Sequence, residues 1–191
     1  MPCIVLTGGP GAGKTALIEH LSGIGQPTVE ESARAIIAER LARGLSPRPA
    51  PLEFARAILD RDLEKYQRHC GAAHRVFFDR SAIEAIGMLH EASPLPPSEL
   101  QALLDRYPFH PLVFVLPPWQ DIYTTDSERD QSFEQAVAVH DRVVRWYTAC
   151  GYRLHEVPHH PAAQRAAHVL QVLDAHPAQS RALNTASPPP H

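Results

Sequence analysis

At 191 residues the chain has room for one domain with a self-sufficient core and none for a second catalytic module. Lysine and arginine total 18 against 21 aspartates and glutamates, a net charge of -3 with no basic block, which argues against a dedicated nucleic-acid binder. No run approaches a membrane span and no leader pattern precedes the first apolar segment, so a cytoplasmic protein is expected, with Cys3, Cys70 and Cys150, odd in number and without metal-ligand spacing, as reduced thiols.

The first predicted strand, Cys3-Ile4-Val5-Leu6, runs into Gly8-Gly9-Pro10-Gly11-Ala12-Gly13-Lys14-Thr15 and then a helical stretch over 14–22. This is the Walker A pattern in its strand–loop–helix setting. The glycines let successive backbone N–H groups turn inward on an anion, and the first helical turn, Thr15 and Ala16 included, adds its positive dipole end. Lys14 then reaches the outer phosphates and the Thr15 hydroxyl is a magnesium ligand. ATP and Mg²⁺ are the expected cofactors.

A weak second strand, Thr28–Val29, ends in Glu30 and Glu31, and a helix follows over 31–43. One of the two carboxylates faces the crevice beside the phosphate loop, where it would accept a proton from an attacking hydroxyl; strand alternation admits only one, and the register leaves both open. Arg34 lies one helical turn on, within reach of the same ligand. The breaker Gly44–Pro51 separates this helix from another over 51–69, so residues 31–75 read either as a helical acceptor-binding arm or as plain cover for the sheet.

The third strand, Val76–Phe78, delivers Asp79 to the crevice as a second magnesium ligand, and Arg80 follows as a grip for acceptor oxygens, with Ser81 opening a helix over 80–91. After a helix over 97–106 and a strand Leu112–Leu116, the prolyl and polar segment 117–131 reads as a lid. Arg129 is its best-placed cation for a moving phosphoryl group, with Arg142 and Arg145 on the next helix, 132–149, as poorer candidates. A last strand, Tyr152–Val157, turns through His159-His160 into a helix over 161–175. That turn is expected against the base of the nucleotide, with the paired histidines exposed and not metal-bound. Residues 176–191, where Pro177 and Pro188-Pro189-Pro190 stand with Ser, Thr, Asn and Gln and too little apolar content to pack, read as a disordered tail, and there is no internal repeat. Five strands alternating with helices specify an α/β protein with a parallel sheet covered on both faces.

The chain resembles the small P-loop kinases within the AAA-domain ATPase group, in particular the ribosylnicotinamide kinase part of NAD-biosynthesis regulators. The matching pieces are Gly8–Thr15, Glu30-Glu31-Ser32-Ala33-Arg34, Phe77-Phe78-Asp79-Arg80, Pro117–Arg129 and Trp146-Tyr147 before Gly151-Tyr152. Asp79-Arg80-Ser81 is also similar to the acid-Arg-Ser step of deoxynucleoside kinases and the Asp-Arg step of thymidylate kinases, whereas the ribosylnicotinamide kinases usually carry Asp-Thr there. The resemblance implies a P-loop three-layer sandwich with a five-stranded parallel sheet, nucleoside-monophosphate-kinase-like, spanning residues 1–175. It also implies ATP-dependent transfer to a hydroxyl or phosphate, with a carboxylate after the second strand serving the acceptor and a lid arginine serving the transferring group.

The leading expectation is a kinase that takes a nucleoside triphosphate and a small-molecule acceptor, such as a nucleoside, a nucleotide or a similar hydroxyl-bearing metabolite; a homodimer is compatible with it. The alternatives are a regulatory P-loop ATPase or NTP-dependent switch without an acceptor, and a polynucleotide-end kinase. A missing Asn-Lys-x-Asp guanine reader and a missing Asp-x-x-Gly step after the third strand count against the switch.

Overall fold

The computed structural model describes residues 3–71, 74–123 and 132–176. Its elements run β1 (Cys3–Gly8), α1 (Lys14–Gly23), β2 (Thr28–Val29), α2 (Ser32–Ala42), α3 (Pro51–His69), β3 (Val76–Asp79), α4 (Ala82–Ala92), α5 (Pro97–Arg106), β4 (Leu112–Leu116), a 3₁₀ turn (Gln120–Ile122), α6 (Phe133–Ala149), β5 (Arg153–Glu156) and α7 (Ala162–Ala175). Arg129, most of the expected lid and the tail beyond His176 lie outside the described residues.

The five strands form one parallel sheet in the order β2-β3-β1-β4-β5. Alternation along each strand sorts the core into two layers. Ile4 and Leu6 of β1, with Phe77, Phe114 and Leu116, pack beneath Leu17 and Leu21 of α1 and Val169 and Leu173 of α7. Val5, Val76, Phe78, Val113 and Val115 face the other way, beneath Ile37 of α2, Phe54 and Ile58 of α3, Ile83 and Ile86 of α4, and Val143 and Tyr147 of α6. Each fully buried side chain of this size contributes about 1.5–3 kcal/mol. This is the three-layer P-loop sandwich that the residue pattern predicts.

Element ends differ from the sequence-based boundaries where local chemistry decides them. β1 continues to Gly8, which pairs with Leu116 of β4. The helix after β3 starts at Ala82 and not at Arg80, because Arg80 sits in the left-handed region at φ 67 and the Ser81 hydroxyl caps the new helix by accepting from Ile83 N at 3.2 Å. Ser132 likewise caps α6 through a reciprocal box with Gln135.

One expectation is corrected. Cys3 and Cys70 are not both reduced thiols: they form a disulfide, Cα to Cα 5.8 Å, while the buried Cys150 is outside it. The bond joins the start of β1 to the end of α3 across 67 residues, a proximity that arises only from the β3–β1 pairing and the return path of α3. Closing a loop of that length restricts the unfolded chain. Chemical unfolding is expected to show wild type losing about 2–4 kcal/mol on reduction, with Cys70→Ser matching the reduced protein and no longer responding to reductant.

Candidate active site

The strands β1, β2 and β3 end side by side, because Leu6 is in register with Asp79 and Phe78 with Val29. Everything that follows these ends converges on one crevice, as open parallel sheets require. β1 turns into the glycine loop. Gly8, Gly11 and Gly13 all adopt positive φ, and Gly13 has a second reason to lack a side chain: a Cβ there would lie 2.8 Å from a guanidinium nitrogen of Arg165.

Inside the loop, the buried Lys14 donates to the carbonyls of Gly8 at 3.1 Å and Gly9 at 2.9 Å. Burial and the nearby Arg80 charge push its ammonium down to about 8. Asp79 shows the mirror effect: burial, against the pull of Lys14, pushes its carboxyl up to about 6, and Oδ1 is buried with no hydrogen-bond partner. Thr15 lies exposed at the helix start, with Arg34 NH1 3.5 Å from its Oγ1.

The ambiguity between the two glutamates resolves. Glu30 is exposed, and its carbonyl accepts from Lys65 Nζ at 2.6 Å, whereas Glu31 turns inward, with its Oε1 accepting from Arg80 Nε at 2.9 Å. Burial disfavours the Glu31 charge, but Arg80, Lys14 and Arg34 outweigh it and hold the carboxyl below its usual range. Arg80 was expected to grip an acceptor; its NH1 instead pairs with Glu84 Oε2 at 2.6 Å, so the guanidinium clamps two of the protein's own carboxylates. Desolvation opposes the charge on Arg80, yet Glu84, Glu31 and Asp79 hold it firmly cationic.

Glu84 is a residue that sequence reasoning missed. Its Oε1 accepts from Thr7 at 2.6 Å and from Tyr147 OH at 3.2 Å. Since Tyr147 gives its hydrogen to Glu84, Ser81, 2.7 Å away, donates to Tyr147. One detectable signal existed, a carboxylate set inside the apolar stretch from Ala82 to Met88. Arg165 was missed too: it is buried on the first turn of α7, donates to Ala12 O at 3.3 Å, and lies 5.6 Å from the centre of the Trp119 ring. Trp119 in turn stacks on the exposed His159 at 4.8 Å and 6°.

The loop opens onto a cavity of about 500 Å³. Of the residues singled out from sequence, Pro10, Gly11, Gly13, Lys14, Thr15, Ala16, Glu31, Arg34, Arg80 and Arg142 line it. Other wall residues include Ile37 of α2, Phe54, Ile58 and Asp62 of α3, Glu84 and Met88 of α4, and Trp146 of α6. Gly87 lets Trp146 lie against α4, where its indole donates to Ile83 O at 2.7 Å.

Fold and loop together define a P-loop protein of nucleoside-monophosphate-kinase-like architecture. A family model described as an AAA domain matches residues 3–165, and the chain belongs to that family. Similar solved structures include thymidylate kinase from Candida albicans, at 12% identity and TM-score 0.61, covering 91% of each chain. Deoxyadenosine kinase from M. mycoides is similar at 14% identity and TM-score 0.60, covering 90% of this chain and 98% of that one. Shikimate kinase from Acinetobacter baumannii follows at 16% identity and TM-score 0.55, covering 94% and 96%. Identities this low establish the shared fold. No curated protein matches the chain by sequence.

Burial also pushes the Asp62 carboxyl up to about 6. A carboxyl whose folded pKa exceeds its unfolded value near 3.8 adds stability that is full below the unfolded pKa and lost as pH rises through 6. Asn at this position does not titrate, so any stability advantage of Asp62→Asn at pH 7 is expected to shrink by about 2 kcal/mol at pH 4. Urea unfolding at the two pH values measures it, and a pH-independent difference would contradict the environment described for Asp62.

Proposed function

We propose that this protein is an ATP-dependent phosphotransferase whose acceptor is a nucleoside, a nucleotide or a similar small hydroxyl-bearing metabolite. The observation that carries this reading is the cavity. A hydrolase or a switch needs room for one water beside the phosphates, whereas this loop opens onto about 500 Å³ walled by α2, α3, α4 and α6, enough for a second small molecule. The similar solved structures that share the fold are kinases, which agrees with it.

In this reading the loop amides and the α1 dipole hold the phosphates. Lys14 exchanges the Gly8 and Gly9 carbonyls for phosphate oxygens, which restore the charge that burial disfavours. Glu31, kept ionised and pinned by Arg80, receives the acceptor hydroxyl and takes its proton as the oxygen attacks. The terminal phosphorus gains a bond to that oxygen and loses its bond to the bridging oxygen, and ADP departs. Positioning matters more here than strong basicity. Helices α2 and α3 serve as the acceptor arm, Arg34 stands at the same mouth, and Arg129 is the proposed lid cation, outside the described residues.

Thr15 and Asp79 would hold a magnesium ion, which supplies charge neutralisation on the phosphate oxygens. The residues fit: Asp79 presents a buried oxygen without a partner, and magnesium is bound through one or two carboxylates completed by phosphates and water. Among the described residues there is no cluster of three or more His, Cys, Asp or Glu arranged for a metal. The flat Trp119–His159 pair beside the loop offers the nucleotide base a stacking surface.

The decisive measurement is ADP release with a panel of nucleosides, nucleotides and small sugars. Stimulation by one class is expected, and release indifferent to every compound would assign the protein to hydrolysis. Lys14→Ala should bring turnover to background and weaken ATP binding. Asp79→Asn should keep ATP binding but lose most of the magnesium-dependent rate, by about 100-fold or more; full activity in either variant would contradict the assignment.

A further inference from the structure

We infer that Asp62 reads an N–H donor on the ring of the acceptor, so that the acceptor is a nucleoside or nucleotide whose base carries an exocyclic amine. This rests on the phosphotransferase reading and names the acceptor class for the same cavity.

The wall opposite the loop has the chemistry of a slot for a flat ring. Phe54, Ile58 and Asp62 follow one another at four-residue spacing on α3, so an apolar row ends in a carboxylate on the same helix face. Met88 and Trp146 face the same cavity from α4 and α6. A polyol gains nothing from such surfaces, whereas an aromatic base buries both its faces there.

The polarity of Asp62 is imposed by its neighbours. Lys65 Nζ donates to Ser32 Oγ at 2.9 Å, and a lysine ammonium has no acceptor capacity. Ser32 must therefore point its own hydrogen elsewhere, and it points it at Asp62 Oδ1. That is the one hydrogen bond of the Asp62 carboxylate among the described residues, and it leaves Oδ2 as an acceptor. The other carboxylates lining the cavity differ: Glu31 and Glu84 are paired with Arg80, and Glu91 stands 3.7 Å from Arg142. Asp62 has no ion pair among the described residues. A half-buried acceptor oxygen at the end of an apolar row costs free energy until a ligand donor meets it, and a site of this kind discriminates strongly against analogues lacking the donor. Although burial pushes its pKa up to about 6, the group is mostly ionised at pH 7 and acts as an acceptor.

The test compares adenosine, cytidine and guanosine with purine riboside, pyrimidin-2-one riboside and inosine, the counterparts that lack the exocyclic amine. Wild type is expected to show a KM at least about tenfold lower for one amino member than for its counterpart, the loss of one such hydrogen bond. In Asp62→Asn the Ser32 hydroxyl still claims the side-chain oxygen, so the amide N–H₂ replaces the acceptor, and the preference should vanish or invert. Unaltered ATP-analogue affinity in that variant reports a folded protein. Should it fail to fold, Ser32→Ala provides the second probe: it releases the carboxylate from its orientation and should raise KM for the amino member while sparing the counterpart. An identical preference in wild type and both variants would overturn the inference, as would turnover of sugars but no nucleoside, and either result leaves the phosphotransferase reading standing. Failure of every acceptor to stimulate ADP release would overturn that reading and this inference with it.

Discussion

The site is organised around one largely buried guanidinium. Arg80 follows the last residue of β3 with a left-handed backbone at φ 67, a conformation that costs a side-chain-bearing residue about 1–2 kcal/mol. What holds it there is its own chemistry: the backbone N–H donates to Leu6 O at 3.0 Å, Nε binds Glu31 and NH1 binds Glu84. Those contacts tie the ends of β1 and β3 to the starts of α2 and α4. Through Glu84 they extend to Thr7 beneath the loop and to Tyr147 of α6, so three helices and two strands share a single charged centre. Removing either glutamate would leave a buried cation half satisfied, a loss of about 3–5 kcal/mol in comparable pairs.

The same centre explains how a carboxylate beside the phosphate loop keeps its charge. Glu31 is desolvated, and by itself it would tend toward the neutral acid. Three cations, Arg80, Lys14 and Arg34, reverse that tendency, and the Arg80 bond also restricts the rotamers of the Glu31 side chain. Ion pairs of this kind add little net stability. Their contribution is positional: one guanidinium fixes both Glu31 and Glu84 in the wall of the cavity.

How much of this was legible depended on whether the determining contacts were local. The phosphate loop is a contiguous pattern, and the strand–helix alternation repeats along the chain, so fold class and loop followed from the residues alone. The choice between Glu30 and Glu31 did not, because it depends on the register of a two-residue strand. Arg80 was placed in the site, but its partners were not foreseen: Glu31 is 49 residues away, and Glu84, four residues on, was not singled out. Asp62 lay hidden in a long amphipathic helix, and the Cys3–Cys70 bond, which joins the far end of that helix to β1, depends on a sheet order that spacing does not reveal.

Lys14 and Asp79 complete the electrostatic argument. Burial drives both toward neutrality, the ammonium down to about 8 and the carboxyl up to about 6, although they are oppositely charged and close enough to feel one another. Two groups displaced in opposite senses by the same desolvation indicate a pocket that solvates charge poorly in either sign. Lys14 meets this by borrowing two loop carbonyls, and Asp79 Oδ1 meets it with nothing. A polyphosphate accompanied by a divalent cation would correct both deficits at once, since the anion favours the ammonium and the cation favours the carboxylate. Either ion alone would correct one deficit and aggravate the other.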